Sequence, residues 1–393
     1  MAKARARIPR GVWVLGAVSL CMDMSSEIVH ALLPLYMATV LGASALFIGV
    51  VEGIAESLAL ILKLFSGVLS DWSRKRKPLI LLGYGLAAVS KFAFPLAPSL
   101  GWIVAARFAD RVGKGIRNAP RDALIADITS AEIRGRSFGL RQALDTVGAI
   151  SGPLLALGGM IWFASDYQAV FWIAVIPAVL CVALIAIGVD EPEVPAARKK
   201  SERLRFSDWK RLPAAFWFIV AIAGVLTLAR FSEAFLLLRA LDVGFAAARA
   251  PLVMVAMTIV YAITAYPAGV ATDRGGSTWL LVAGLAALVA SDLVLAGATG
   301  VWTVVAGAAL WGLHMGLTQG LLAALVANAS PEDLRGTGFG VFNLVCGLAL
   351  LVASTVAGWL WDAYGPAFTF YAGAAFTVLA GVGFLAYQMR VTR

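Results

Sequence analysis

The stretch Gly67-Val-Leu-Ser-Asp-Trp-Ser-Arg-Lys-Arg-Lys77 closes a long apolar run with an aspartate and then four consecutive cations. Its first five residues return later in the chain. Gly67-Val-Leu-Ser-Asp71 recurs as Gly269-Val-Ala-Thr-Asp273, an offset of 202 residues. A second pair of anchors, Arg134-Gly135 with Phe138-Gly139, recurs as Arg335-Gly336 with Phe339-Gly340 at an offset of 201. Two anchors holding nearly one offset mark a duplicated half, the sequence sign of a transporter built from repeats. The second copy keeps only Arg274 of the four cations.

Working outward, apolar segments of helix length lie near 12–40, 47–69, 78–97, 100–127, 137–163 and 167–189, and again near 214–241, 250–271, 278–296, 301–328, 338–360 and 366–389. The chain has 393 residues, of which 61% are hydrophobic and 14% charged, with a mean hydropathy of +0.86. Those values exclude a water-soluble enzyme. Twelve spans of roughly 20 residues need about 240 residues, which this length supplies. The pattern predicts an all-α membrane protein: twelve transmembrane helices in two pseudo-symmetric six-helix bundles, residues 1–190 and 214–393, joined by a polar linker at 191–213. The basic N-terminus precedes an apolar run with no small-residue cleavage site, so the first span is expected to be retained.

The net charge of +9 is distributed in a way that decides its meaning. With twelve spans the loops form two alternating sets. One holds Lys3, Arg5, Arg7, Arg10, Arg74, Lys75, Arg76, Lys77, Arg134, Arg136, Arg274, Arg335, Arg390, Arg393 and seven Lys or Arg between 198 and 211, while the other holds only Arg249. The positive-inside rule then puts both termini and the linker in the cytoplasm of a cell bounded by this membrane, expected to be a bacterial inner membrane, and removes nucleic acid as a partner. Cys21, Cys181 and Cys346 stand alone in apolar runs and read as packing residues. No phosphate-binding Gly-rich loop is present, so the expected energy source is a proton gradient, with no cofactor and no resident metal.

The Gly67–Lys77 segment resembles the loop between spans 2 and 3 of the major facilitator superfamily. The resemblance implies that Gly67, Asp71, Arg74, Lys75 and Arg76, with Asp273 and Arg274 in the second copy, form a conformational latch, since an aspartate at a helix end beside cations makes charge-assisted bonds that can close and release. A second resemblance falls on Gly139, Gly148, Gly152 and Pro153, spaced as in span 5 of the superfamily's exporters. It implies a hinge and antiport, although the trailing pair Gly158-Gly159 stands two residues later than in that pattern. A third is partial: Arg107-Phe-Ala-Asp110-Arg111-Val-Gly113-Lys114-Gly115 is similar to the family's span 4, with Arg111 where glycine is usual. Spans 1 and 4 line the central cavity in that superfamily.

The residues themselves support those positions. Arg107, Asp110, Arg111 and Lys114 share one helix face by spacing, and that face cannot look at lipid, where a central charge costs about 2.5 to 3.5 kcal/mol. Asp23, Glu27 and His30 form an acidic stripe on span 1. At 1.5 Å per residue, Asp23 lies about 16 Å and Asp110 about 15 Å from the nearer ends of their spans, close to the midplane. Asp23, Asp110 and Glu27 are the candidates for proton coupling. Arg107, Arg111, His30, Glu56, Arg230, His314 and Gln319 are the candidates for binding substrate, and the C-terminal half reads as chemically plainer. The leading expectation is a monomeric, proton-coupled exporter of small amphipathic compounds, drugs or metabolites, that works among membrane lipids without catalysing a reaction. Uptake of an organic anion held by arginines, and export of a transition metal or metal chelate, remain the alternatives.

Overall fold

Apolar residues in runs of helix length, with glycine and proline where they are interrupted, fold almost wholly as helix, the form that satisfies every backbone polar group within one segment. The computed structural model describes residues 7–73, 75–130, 132–191, 206–273, 277–331 and 334–391. The helices are α1 (Arg10–Thr39), α2 (Ala45–Ser73), α3 (Lys77–Ala93), α4 (Leu100–Asp127), α5 (Arg134–Trp162), α6 (Tyr167–Gly188), α7 (Ala214–Ala229), α8 (Ala234–Asp242), α9 (Leu252–Asp273), α10 (Ser277–Ala296), α11 (Val301–Ala329), α12 (Arg335–Tyr364) and α13 (Pro366–Val391). A short 3₁₀ turn at Phe206–Arg211 precedes α7, and the described residues contain no strand. Among the described residues ten stretches are long and apolar enough to cross a membrane, α7 and α8 counting together as Ala214–Asp242. Length and hydropathy thus account for ten of the twelve expected spans; α3, with 17 residues, and the charged α4 are the two they leave out.

Contacts divide the chain into two units, Met1–His30 with Leu58–Arg203, and Ala31–Ser57 with Leu204–Arg393. The division runs through α1 and α2. In the N-terminal unit α3 packs on α4 and α6, and α5 on α4 and α6. Its apolar core joins Val12, Leu15 and Val18 of α1 to Tyr84 of α3, Ile125 of α4 and Cys181 of α6. Helix α5 also lies directly against α1. A Cβ on Gly148 would stand 2.6 Å from the Leu20 carbonyl and 3.1 Å from the Asp23 Cβ, and one on Gly152 would collide with the Glu27 Cβ. Only glycine permits that approach.

In the C-terminal unit α9 and α10 pack on α11, α10 also packs on α13, and α7 packs on α12 and α13. Helix α7 stops at Ala229 and α8 starts at Ala234, leaving Arg230–Glu233 outside regular helix. Arg239 of α8 donates to the carbonyls of Leu295, Ala296 and Ala298 at the end of α10, at 2.8 to 3.1 Å. A cation there satisfies carbonyls that have no helical partner. Asp362 does the converse for α2, accepting from the N–H groups of Ala45 and Leu46 at 3.2 and 2.9 Å.

The outside of the molecule is as informative as its core. Trp162 is 84% exposed and Ile187 is 87% exposed, while Lys91 and Arg107 are 0% exposed. Large apolar side chains outside and charges inside invert the pattern of a soluble protein, as a lipid solvent requires. The three cysteines are free and buried.

Candidate transport site

Helix α4 starts cleanly, with the Ser99 hydroxyl accepting from the N–H of Trp102 at 3.4 Å. It then carries Arg107, Asp110, Arg111, Arg117 and Arg121 into the interior of the N-terminal unit, all of them buried. From Arg107 to Arg121 this face runs about 21 Å at the helical rise. At one end Asp110 is the shared counter-ion. Lys91 Nζ of α3 lies 2.7 Å from Asp110 Oδ1, and Arg111 Nη2 lies 2.7 Å from Asp110 Oδ2. Arg107 adds a longer contact of 3.9 Å, and its Nη2 is 3.1 Å from His30 Nδ1. A charge-assisted cluster this deep is held together by the cost of breaking it, since removing one partner strands a buried charge.

Further along α4, Arg117 lies over the Tyr84 ring at 4.6 Å. Arg121 donates to Ser19 Oγ at 3.0 Å and to Tyr84 Oη at 3.4 Å, and pairs with Asp122 at 3.0 Å. Arg141 of α5 pairs with Asp145 at 2.5 Å and approaches Asp122 at 4.0 Å. The four helices α1, α3, α4 and α5 are therefore stitched by a polar column within one unit. Such a column offers several alternative partners to each charge, which is what a group that changes partners during transport needs.

The structure brings together part of what the spacing predicted. Arg107, Asp110 and Arg111 form one cluster with Lys91, and His30 joins it through Arg107. Asp23 and Glu27 are half-buried on α1 beside Gly148 and Gly152 of α5. Glu56 is half-buried on α2, in the C-terminal unit. Arg230 ends α7 at the helix break. His314 is fully buried and its Nδ1 lies 2.8 Å from the Gly284 carbonyl of α10, so one side of its ring joins two neighbouring helices. The side chains of Asp71, Asp273 and Gln319, and residues Arg74 and Arg274, lie outside the described residues.

The rest of the basic run has a definite arrangement. Arg76 is buried and donates to Ser70 Oγ at 2.5 Å and to Asp127 at the end of α4 at 3.4 Å. Glu191, just after α6, accepts from the N–H groups of Arg76 and Lys77 at 2.6 and 2.7 Å and so caps α3. Lys75 is exposed, and a Cβ on Gly67 would meet Ala119 of α4 at an ordinary 3.5 Å. Of the span 5 glycines, Gly148 and Gly152 pack on α1, Pro153 follows inside α5, and nothing lies within 4 Å of a Cβ on Gly139.

Sequence reasoning missed Lys91, Arg117 and Arg121. Lys91 is a lone cation in the apolar run of span 3, which by itself marks an interior residue. Arg117 and Arg121 continue the α4 stripe beyond Lys114. Asp292, a lone acid in α10, was also passed over, and it is fully buried.

The Major Facilitator Superfamily profile matches residues 15–238 and 228–392, and the chain belongs to this family of membrane transporters. An uncharacterized MFS-type transporter of Methanocaldococcus jannaschii is 32% identical over 383 residues, covering 95% of this chain and 94% of that protein. The multidrug resistance protein MdtH of Photorhabdus laumondii is 31% identical over 146 residues, 37% of this chain and 35% of its own length. Among solved structures, the human organic anion transporter MFSD10 superposes with a TM-score of 0.70 at 17% identity, covering 96% of this chain and 100% of that one. The chain is an integral membrane protein with the all-α fold of this superfamily.

Proposed function

We propose that this chain is a proton-coupled secondary transporter that exports small amphipathic compounds by alternating access across a bacterial inner membrane, as a monomer with both termini in the cytoplasm. The observation that carries the reading is the buried cluster in which Lys91, Arg111 and Arg107 share Asp110. In one state Asp110 is held ionised by its cations. In the other, with the cluster opened, it takes a proton from water, and Asp23 and Glu27 serve the same traffic from α1. The MdtH similarity, over about a third of the chain, supports the export direction.

The test is accumulation by proteoliposomes under an imposed proton gradient, with ethidium, a dicarboxylate and divalent metal ions as probes. Asp110→Asn is expected to abolish gradient-driven accumulation of the probe that wild type carries, while counterflow without a gradient persists. Wild-type accumulation by Asp110→Asn, Asp23→Asn and the double variant would make these carboxylates structural. The orientation is checked by cysteine labelling, with Asp190→Cys reactive from the cytoplasm and Ser44→Cys from outside.

A second reading, uptake of an organic anion, has an observation in its favour. In the N-terminal unit Lys91, Arg107, Arg111, Arg117 and Arg121 are buried with Asp110 as the one buried carboxylate among the described residues. Arg117 Nη1 has no hydrogen-bond partner there. A ligand carboxylate would balance that surplus. Uptake of the dicarboxylate with no transport of ethidium would favour this reading over the first.

A further inference from the structure

Asp292 of α10 is 0% exposed, and among the described residues neither of its carboxyl oxygens has a hydrogen-bond partner. What lies against it is apolar. A Cβ built on Gly373 of α13 would stand 2.8 Å from Asp292 Oδ2 and 3.1 Å from Phe231 Cε1, so the carboxyl, the Phe231 ring and the bare backbone of Gly373 meet at one spot. Phe231 belongs to the Arg230–Glu233 break, and its ring packs on those of Phe235, Trp311 and Phe370 with centroids 5.4 to 5.7 Å apart. Irregular backbone at membrane depth, buried in protein, is where transporters place ligand and coupling-ion sites.

The charged groups on the neighbouring elements are otherwise engaged. On α8, Arg239 holds the carbonyls of Leu295, Ala296 and Ala298 and pairs with Asp242. On α11, His314 bonds to Gly284, eight residues before Asp292 and so about 12 Å away along α10. Arg230 and Glu233 flank Phe231 in the break. Helices α9 and α13 have, among their described side chains, no ionisable group beyond Tyr261, Tyr266 and Tyr371.

An ionised carboxylate so enclosed would need a counter-charge, because burying it alone costs far more than a fold can offset. A metal ion would need further oxygens, and the small cavity that Phe231 and Gly373 line is apolar apart from Thr369 and does not include Asp292 in its lining. We infer that Asp292 is a proton-carrying carboxyl of the C-terminal unit, loaded in the state described here and emptied when movement at the α7–α8 break draws Phe231 away and admits water. Release leaves the carboxylate on Asp292 and gives the proton to that water. The inference extends the proton-coupling reading to a second carboxyl, and its test needs neither substrate nor gradient, so the two can fail separately.

The experiment is infrared spectroscopy of the purified full chain at neutral pH, following the carbonyl stretch of protonated carboxylic acids and its shift in heavy water. Wild type is expected to show such a band, Asp292→Asn to lose it, and Asp110→Asn to keep it. Asp292→Glu is expected to retain a band at a displaced frequency, which keeps the test open if the asparagine variant does not purify. Absence of the band in wild type, its persistence in Asp292→Asn, or an unmoved band in Asp292→Glu overturns the proposal. So does loss of the band on adding sodium chloride at constant pH, which would identify a sodium site.

Discussion

In the N-terminal unit five buried cations run along α3 and α4, three of them on the one buried aspartate Asp110, whereas the C-terminal unit packs Phe231, Phe235, Trp311 and Phe370 together and leaves Asp292 without a hydrogen-bond partner among the described residues. The two halves descend from one repeat by the offsets in their sequence, yet they use different physics to hold helices together in lipid. Ion pairs are directional and can exchange partners. Ring packing has no such alternatives, so the aromatic unit can change mainly where its backbone is broken, at Arg230–Glu233, while the ionic unit can exchange partners along a whole helix face.

The comparison breaks first at Lys91. Lys91→Met should cost about 3 to 5 kcal/mol, the penalty of leaving Asp110 short of one of its two close cations in a buried site, and should lower the melting temperature in detergent sharply. Adding Asp110→Asn should recover much of the loss; if the double variant is no more stable than the single one, the pair does not act as a unit. Next in size is Gly152→Ala, which forces α5 away from Glu27 and should cost about 1 to 3 kcal/mol as an overpacked contact. Gly139→Ala, with open space around it, should be neutral or slightly stabilising by up to about 1 kcal/mol. Equal effects at the two glycines would mean that α5 does not lie on α1 as described. The smallest effect is expected from Glu191→Ala, which uncaps α3 and should cost about 1 kcal/mol, read as earlier proteolysis or faster hydrogen exchange at Arg76 and Lys77.

Much of this fold was legible because a bilayer restricts the chain to few solutions. Apolar runs of span length gave the helices to within a few residues, for example 167–189 against α6 at Tyr167–Gly188. What the pattern hid was the break in α7: Arg230, Phe231, Ser232 and Glu233 sit in a stretch whose hydropathy alone reads as one span. The site was half legible. Spacing on a single helix placed Arg107, Asp110 and Arg111 together, since those positions share a face whatever surrounds them. Lys91 and Asp292 were missed because each stands alone in its apolar run, and only tertiary packing shows what surrounds it, Asp110 for Lys91 and apolar groups for Asp292.

The bond between Lys91 and Asp110 also bears on how the protein is made. Helix α4 carries Arg107, Asp110, Arg111, Lys114, Arg117, Arg121 and Asp122, and each charge near a helix centre costs about 2.5 to 3.5 kcal/mol on entering lipid by itself. Helix α3 has only 17 residues and bears Lys91 two positions before its end at Ala93. Helix α3 is short for a span, and α4 is too charged to enter lipid by itself. They are joined by a short turn at 94–99 and pack closely on one another, so the hairpin is expected to leave the insertion machinery as a pair, with Lys91 and Asp110 already neutralising each other, after α1 is in place to offer His30 to Arg107 and Ser19 to Arg121.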